Sequence, residues 1–271
     1  MITSTSNQQM KDLSALLKKS KERKVNKVFV VEGTKMVAEA PRTWLRKVYV
    51  SEGYEKNPQN EAFLKAFSKD ASQYGFVLET VSDSVFKSVS DTQTPQGIMA
   101  VVSMPEYSFE QLLDGNKTHL LILESIQDPG NLGTMIRTGE GAGITGVIMN
   151  KTTVDLFNPK TIRSTMGSIY RMPFYVAEDL SVTLEELKKQ GVALYAAHLK
   201  GEHSYDEEDY TGACGFLIGN EGNGLSDEIA DQANTYIKIP MEGKVESLNA
   251  AISATLLMYE TNRQRRKKES K

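Results

Sequence analysis

Short apolar runs alternate with stretches of helical spacing along most of this chain. Leu13, Leu16 and Leu17 are three and one residues apart, which predicts the apolar face of a helix. Helical spacing returns within 61–74, and Gly75 is placed to end that helix. Runs of β-branched and other apolar residues predict strands in this first part at 28–31, 48–50, 76–78 and 98–102.

The same alternation continues after residue 118. Apolar runs predict strands at 120–123, 147–149, 174–176, 192–197, 216–218 and 236–239. Helices are predicted at 131–142, 159–169, 184–189 and 227–232, and a long one is predicted from Ser247 onward. The apolar face of this last helix is predicted to comprise Leu248, Ala251, Ile252, Thr255, Leu256 and Tyr259. Apolar strands that alternate with helices predict an α/β fold with a mostly parallel sheet covered on both faces.

The segment 104–118 interrupts this alternation. It contains Pro105, the pair Asp114-Gly115 and mainly polar residues, which is typical of a connection between domains. The chain of 271 residues is long enough for two modest domains. We therefore predict a smaller N-terminal α/β domain at 1–105, a linker at 106–118 and a second domain at 119–271.

Composition narrows the class of protein. The formal net charge is -3. Cys214 is the single cysteine, so an internal disulfide is excluded. Cys214 also begins an apolar run, which is typical of a buried strand. The first twenty residues are polar, and no apolar run is long enough to span a bilayer, so we expect a cytoplasmic protein with no membrane contact. Basic residues cluster at 18–24 and at 263–268; each cluster is either a phosphate-binding surface or a solvated helix end.

Two familiar kinds of site are disfavoured. The stretch 141–146 spells G-x-G-x-x-G, but it ends a predicted helix and precedes a strand, whereas a dinucleotide fingerprint follows a strand and opens a helix. His198 and His203 have no cysteine or carboxylate at zinc-ligand spacing. We therefore predict neither a dinucleotide site nor a metal site.

Small residues stand where predicted strands end. The block 219–224 reads Gly-Asn-Glu-Gly-Asn-Gly between a strand and a helix, where glycine lets backbone N–H groups approach a ligand. A second block comprises Ile-Pro-Met at 239–241 and Glu-Ser-Leu-Asn-Ala-Ala at 246–251, and a third, upstream, reads Asp-Pro-Gly-Asn-Leu-Gly at 128–133. Open α/β sheets bind ligands outside the carboxyl ends of their strands, so these blocks are predicted to form one pocket.

In this order, and with Arg137 after the upstream block, the blocks resemble the motifs of the SpoU/TrmH family of RNA ribose 2'-O-methyltransferases. The stretches 29–33 and 94–97 resemble the small RNA-substrate domain of the same family. The resemblance implies a SPOUT-type α/β domain with a C-terminal trefoil knot, a homodimer and S-adenosylmethionine as the cofactor. It also implies RNA as the partner, and we expect rRNA of the 23S type.

The resemblance also implies which residues act. The resemblance implies that the cofactor is contacted by Gly219, Ile239, Met241, Leu248 and Ala251. It implies that the catalytic residues are Asn131, Arg137, Glu221, Ser247 and Asn249.

The roles of these polar residues differ. A guanidinium suits a clamp on phosphate or on an oxyanion, while the mechanism proposed for the family has the arginine take the proton; the sequence leaves both open for Arg137. Glu221 would orient the arginine or the substrate, Asn249 would hold ribose or phosphate, and Ser247 would combine substrate contact with a helix cap.

Three other functions remain open on the sequence alone. A related knotted fold could methylate tRNA bases, or the domain could bind RNA without catalysis. The intact set of polar motif residues argues against the second of these. A dinucleotide oxidoreductase is disfavoured by the position of its fingerprint.

Overall fold

The computed structural model describes residues 1–270, which form two compact units. The first unit comprises residues 1–105 and 157–170, and the second comprises residues 106–156 and those from 171 onward. The helices are α1 (Gln8–Lys18), α2 (Ser20–Asn26), α3 (Thr34–Glu39), α4 (Glu52–Lys56), α5 (Glu61–Tyr74), α6 (Asp83–Val89), α7 (Pro129–Ala142), α8 (Pro159–Thr165), α9 (Leu180–Lys189), α10 (Asp227–Ala230) and α11 (Ala250–Glu269). The strands are β1 (Val28–Glu32), β2 (Leu45–Ser51), β3 (Val77–Val81), β4 (Ile98–Ser103), β5 (His119–Leu123), β6 (Gly146–Asn150), β7 (Phe174–Ala177), β8 (Ala193–Ala197), β9 (His203–Ser204), β10 (Cys214–Ile218) and β11 (Thr235–Lys238).

A four-stranded sheet with the order β1-β4-β2-β3 forms the centre of the first unit. Strand β4 is antiparallel to β1 and β2, whereas β2 and β3 are parallel. Strands β1, β2 and β3 therefore end at the same edge, where β4 begins. Residues of α1 and α6 form one apolar cluster with this sheet, so one of its faces is covered by helices.

The segment 157–170 packs with the first unit, although the sequence-based domain limits place it in the second. The Phe157 ring lies 4.8 Å from the ring of the buried Phe29 on β1, and the Tyr170 hydroxyl donates to the Met36 carbonyl at 2.8 Å. Contacts of its aromatic side chains with β1 and α3 therefore place the segment in the first unit. No local sequence pattern predicts these contacts. The limits at residues 105 and 118 stay predictions.

The helix predicted at 159–169 is shorter in the structure. Helix α8 ends at Thr165, because Met166 and Gly167 take positive φ angles of 50° and 99° that a helix cannot continue through. A 3-10 helix at Ser168–Tyr170 follows.

The second unit is built on a seven-stranded sheet with the order β7-β6-β5-β10-β8-β11-β9. All its neighbouring strands are parallel, so every strand ends at the same edge. Helices α9 and α10 contribute to the apolar cluster on one face, while α7 and α11 pack against each other and α11 packs on β10. The predicted α/β fold with a mostly parallel sheet is confirmed.

Helix α11 corrects two expectations. It begins at Ala250, and its cap is Asn249, whose side chain accepts from the backbone N–H of Ala251 and Ile252; Ser247 is not the cap. Its buried residues are Ala251, Ala254, Leu257, Met258, Glu260 and Thr261. The predicted apolar face was wrong in part, because Ile252 and Tyr259 are 50% and 44% exposed.

Each basic cluster contains an arginine that serves the fold. Arg23 is buried, and its guanidinium donates to the Leu16 and Leu17 carbonyls at 2.6 and 3.2 Å. Arg265 donates to backbone carbonyls of Lys117, Thr118, Tyr210 and Gly212. These two side chains are committed to backbone carbonyls, and the exposed basic residues beside them are open to a phosphate backbone.

The predictions for Cys214 and Gly143 are confirmed. Cys214 is buried in β10, and burial raises the pKa of its thiol to about 11. Gly143 ends α7 with a φ of 77°, so the stretch 141–146 closes a helix, which a dinucleotide fingerprint does not do. Across residues 1–270 there is no group of three or more histidine, cysteine and carboxylate side chains that could hold a metal ion. No helix in that range has the length and apolar character needed to cross a membrane, and the cytoplasmic location stays a prediction.

Candidate active site

The three sequence blocks follow three strands, β5, β10 and β11, of the second unit's parallel sheet. Block 128–133 lies beyond the end of β5, block 219–224 follows β10, and block 239–251 follows β11. Strands β5 and β10 are adjacent, while β10 and β11 flank β8. Since parallel strands end at one edge, the last two blocks start about 10 Å apart. The topology therefore gathers all three blocks at one edge of the sheet.

Glu221 connects the block after β10 to the block after β5. Its Oε2 accepts from the Gln127 backbone N–H at 2.9 Å, and its Oε1 accepts from the Asp128 N–H and from Asn131 Nδ2, both at 3.0 Å. Asp128 in turn caps α7 by accepting from the Asn131 N–H at 2.8 Å. One carboxylate thus holds the entry of α7 against the glycine loop.

Asn249 extends this connection to the third block. Its Nδ2 donates to Asn131 Oδ1 at 3.0 Å, while its Oδ1 accepts from the backbone N–H of Ala251 and Ile252. The amide of Asn131 therefore lies between Glu221 and Asn249 and uses both its ends. We name the hydrogen-bonded side chains Glu221, Asn131 and Asn249 the motif relay.

The relay keeps Glu221 ionised. Burial disfavours its charge, but hydrogen bonds from the Asn131 side chain and from the Gln127 and Asp128 N–H groups outweigh burial and hold the pKa of the carboxyl below its usual range. At neutral pH the relay is therefore anchored on a carboxylate that only accepts hydrogen bonds.

The glycine loop closes on itself. The Asn220 N–H donates to the Gly224 carbonyl at 3.0 Å, and the Gly224 N–H donates back at 2.9 Å. A Cβ atom on Gly219 would lie 2.1 Å from the Gly224 carbonyl carbon and from the Leu225 nitrogen. Glycine at 219 is therefore required by the loop's own backbone, a tighter constraint than the ligand approach that the sequence suggested.

Residues that the sequence did not single out support the loop after β5. Ser125 has a φ of 57°, and its N–H donates to Asn150 Oδ1 at 2.9 Å. Asn220 Nδ2 donates to the Ser125 carbonyl at 2.9 Å, and Glu124 accepts from the Ser226 N–H and hydroxyl at 2.8 and 2.7 Å. Polar residues directly after a buried strand were the available signal for Glu124 and Ser125. The role of Asn150 depends on strand order, which no local pattern shows.

The predicted cofactor contacts lie around this edge. Ile239 and Met241 follow β11, Leu248 precedes α11, and all three are half-buried. Ala251 is 2% exposed in the first turn of α11. The side chains of Ile239, Met241 and Leu248 offer apolar surface in the block that also contains Asn249. The Ala251 side chain is buried.

Arg137 and Ser247 stand apart from the relay. Arg137 lies on α7 about 9 Å along the axis from Asn131. Both Arg137 and Ser247 are exposed, and the side chain of neither makes a hydrogen bond or ion pair with a residue of the described range 1–270. The structure therefore joins Asn131, Glu221 and Asn249 directly and leaves Arg137 and Ser247 open to a ligand.

Comparison with known proteins gives the same reading. The model of the SpoU rRNA Methylase family matches residues 118–259, and that of the MRM3-like substrate binding domain matches residues 7–100. The 23S rRNA (guanosine(2553)-2'-O)-methyltransferase RlmP of Bacillus subtilis (strain 168) is 36% identical over 264 residues, covering 95% of this chain and 97% of that protein.

Solved structures agree over nearly the full length. An rRNA methyltransferase from Sinorhizobium meliloti has a TM-score of 0.85 at 30% identity, covering 97% of this chain and 96% of that one. Its AdoMet-bound form has a TM-score of 0.84 at 29% identity, covering 97% of each chain. The family model and the RlmP relative confirm the resemblance of the motif blocks, and the chain belongs to the SpoU rRNA methylase family.

Proposed function

We propose that this protein transfers a methyl group from S-adenosylmethionine to a ribose 2'-hydroxyl of RNA, and that the RNA is rRNA of the 23S type. The observation that carries the proposal is the motif relay, which joins the three motif blocks at one edge of the parallel sheet. The named activity of the RlmP relative and the AdoMet-bound neighbour support it.

The residues around the relay suit this cofactor. Ile239, Met241 and Leu248 present half-buried apolar side chains, which fit the adenine ring and the aliphatic part of the methionine chain better than the phosphates of a dinucleotide. S-adenosylmethionine supplies a methyl group on a positively charged sulfonium. Gly219 contributes indirectly, because its missing side chain lets the loop 219–224 close and fixes the edge of the site. Ala251 would contribute through its backbone position at the start of α11.

Arg137 would hold the substrate. A guanidinium is permanently charged and has a planar fork of donors, so it binds a phosphate or a developing oxyanion in two-pronged fashion. Its exposure and its lack of a partner among residues 1–270 leave those donors open. We assign it the clamp role, with an RNA phosphate that it holds accepting the 2'-hydroxyl proton.

The motif relay and Ser247 would position the ribose. Glu221 accepts hydrogen bonds and fixes the orientation of Asn131, which in turn orients Asn249. The exposed Ser247 hydroxyl, two residues before Asn249, is free to contact the substrate. Holding the hydroxyl in line with the methyl carbon contributes several kcal/mol, of order 7 or more in favourable cases.

Single-turnover transfer of labelled methyl to in vitro transcribed 23S rRNA tests the proposal. Arg137→Ala is expected to lower the rate by roughly 10²–10³ while leaving S-adenosylmethionine affinity unchanged by calorimetry. Arg137→Lys should not restore the rate, because a point charge lacks the fork geometry. Arg171→Ala, which removes an exposed arginine outside both basic clusters that pairs with Glu140, is the matched control.

The products separate the rival activities. Methylation of the ribose protects the following phosphodiester from alkaline cleavage, whereas methylation of a base does not. Turnover with tRNA in place of rRNA would contradict the substrate assignment, and no turnover with either would favour an RNA-binding role. Near-normal turnover of the Arg137→Ala variant would remove this residue from the mechanism.

We also propose how the two domains divide the work, how the second unit is threaded and how the protein assembles. We assign RNA binding to residues 1–105 and methyl transfer to 119–271. We also propose a trefoil knot in the second unit and a homodimer. The half-exposed Ile252, Leu256 and Tyr259 form an apolar stripe on α11 that supports a dimer contact. A monomeric mass by light scattering at micromolar concentration would contradict the dimer.

A further inference from the structure

A cleft of about 440 Å³ opens at one edge of the first unit's sheet. It lies where β1 and β2 end and where the antiparallel β4 begins. Its lining includes Thr34 after β1, Ser51 and Tyr54 at the end of β2, and Gln96 before β4. The cleft is therefore built from short segments that adjoin the ends of three strands.

Glycine makes the floor of the cleft possible. Gly97 has a φ of 88°, and a Cβ atom there would lie 2.8 Å from Ser51 Oγ and 2.9 Å from Tyr54 Cβ. Residue 97 therefore has to be glycine for the start of β4 to pack against the end of β2. The cleft is a consequence of this close packing.

Hydrogen bonds hold the walls in place. Gln96 Oε1 accepts from the Thr34 N–H at 2.9 Å, and the Thr34 and Tyr54 hydroxyls are 3.0 Å apart. Asn57 Oδ1 accepts from the Gln59 N–H at 3.0 Å, and Asn60 Nδ2 donates to the Tyr54 carbonyl at 3.0 Å. Each amide at the rim thus uses one of its two ends to fix its own orientation.

The other ends of these amides are open. Asn57 Nδ2 and Gln96 Nε2 are donors, and Asn60 Oδ1 is an acceptor, for which residues 1–270 provide no hydrogen-bond partner. The cleft is lined by no charged side chain of the described chain. Such a lining suits a neutral ligand that both donates and accepts hydrogen bonds, and it does not suit a phosphate.

We propose that this cleft binds an unpaired nucleobase of the RNA substrate. The proposal rests on the proposed function, and the match to a substrate-binding domain over residues 7–100 includes every residue of the lining. Proteins that select RNA sequences take unstacked bases into sites where amides contact the base edge. Asn57, Asn60 and Gln96 supply these amides, next to the Tyr54 ring.

The test uses the full chain and two fluorescent 12-nucleotide RNAs at one salt concentration, one of mixed sequence and one abasic. Asn57→Ser keeps an oxygen that caps the next turn but removes the open donor. Gln96→Glu keeps the acceptor for the Thr34 N–H and also removes a donor. Gln73→Glu, on the exposed surface of α5, adds the same charge away from the cleft and is the control.

Each cleft variant is expected to bind the mixed-sequence RNA roughly three- to ten-fold more weakly than the wild type, the effect of one lost hydrogen bond. Binding of the abasic RNA should be unchanged. Equal losses on both RNAs, or no loss on either, would overturn the proposal. Methyl transfer to 23S rRNA by the wild type, measured on the same preparation, reports separately on the proposed function.

Discussion

The motif relay consists of three polar side chains whose partners are fixed by their chemistry. Glu221 only accepts hydrogen bonds, so Asn131 must turn its Nδ2 toward it and its Oδ1 toward Asn249. Asn249 must then give its Nδ2 to Asn131, which leaves its Oδ1 for the cap of α11. The carboxylate thus sets the orientation of two amides and the start of a helix.

Substitutions at Asn249 can separate its two tasks. Asn249→Ser retains a cap but loses the donor to Asn131, so the free energy of unfolding should change little. The rate of methyl transfer should fall by roughly ten-fold as Asn131 loses its orientation. Asn249→Ala should in addition lose about 1 kcal/mol of stability. Urea unfolding and single-turnover transfer measure the two quantities, and full activity of Asn249→Ser would contradict the relay's role.

His119 predicts a pH dependence of stability. Burial, together with the charge of Arg265, lowers the pKa of this histidine to about 3, so the folded protein keeps it neutral. The unfolded chain binds a proton below about pH 6.5, so stability falls as pH decreases from about 6.5 toward 3 and is complete above that window. The slope from this one proton is at most about 1.4 kcal/mol per pH unit.

The measurement is urea unfolding between pH 4 and 7 of the wild type and of His119→Leu. The free energy of unfolding of the variant should depend less steeply on pH, because the contribution of His119 is absent. The carboxylates contribute equally to both proteins. Glu221, whose pKa is lowered, loses its contribution only below about pH 4. Parallel curves for the two proteins would show that the pKa of His119 is the same in the folded and unfolded states, and would contradict this prediction.

Local chemistry in the sequence identified the relay's members but not their bonds. Asn131, Glu221 and Asn249 stood out as polar residues in small-residue blocks. Their pairing spans about 90 and 118 residues of chain, and it depends on the order of β5, β10 and β11 in the sheet. The sequence could not show that order.

At the scale of elements, periodicity predicted where strands lie more securely than where helices end. The apolar runs of the second unit became β5, β6, β7, β8, β10 and β11 with small shifts. The start of α11 was misplaced because Ser247 and Asn249 are both good caps, and only the bond to Asn131 distinguishes them. Short elements such as α2, α4 and α6 span two turns at most, too few for a periodic pattern.

Two adjacent arginines of α11, Arg265 and Arg266, are expected to contribute differently to the stability of the protein. Arg265 donates to the Lys117, Thr118 and Gly212 carbonyls at 2.6, 3.0 and 2.7 Å. Arg265→Ala should lower the free energy of unfolding by about 2–3 kcal/mol, since these acceptors lose a charged donor. Arg266→Ala, at an exposed position, should change it by less than about 0.5 kcal/mol. Equal effects in urea unfolding would contradict the structural role of Arg265.

At the scale of the whole molecule, the first unit is assembled from two separate stretches of chain. Phe157→Ala should destabilise that unit by about 3 kcal/mol, because it uncovers the Phe29 ring. The preceding residue offers a control, since Leu156 is buried in the second unit. Hydrogen exchange should show lost protection in β1 for Phe157→Ala and in the second unit's sheet for Leu156→Ala. Lost protection in the same strands for both would contradict this division.

The two-domain layout was predictable from the linker composition, but the return of 157–170 was not. The linker at 104–118 is polar and contains Pro105 and Gly115, so it shows in composition. Phe157 and Tyr170 instead lie on either side of the helix predicted at 159–169, and no feature of the sequence marks them as part of the first unit. Their partners are Phe29 and Met36, more than 120 residues earlier.

This discontinuity bears on how the chain matures during its synthesis. Translation delivers residues from the N-terminus at about 5–20 per second, and domains tend to fold as they emerge. Residues 1–105 leave the ribosome without the segment that covers Phe29, and the covering segment ends only at Tyr170. For several seconds the nascent first unit therefore presents an uncovered aromatic surface, and its folding can be completed only after strands β5 and β6 of the second unit have also been made.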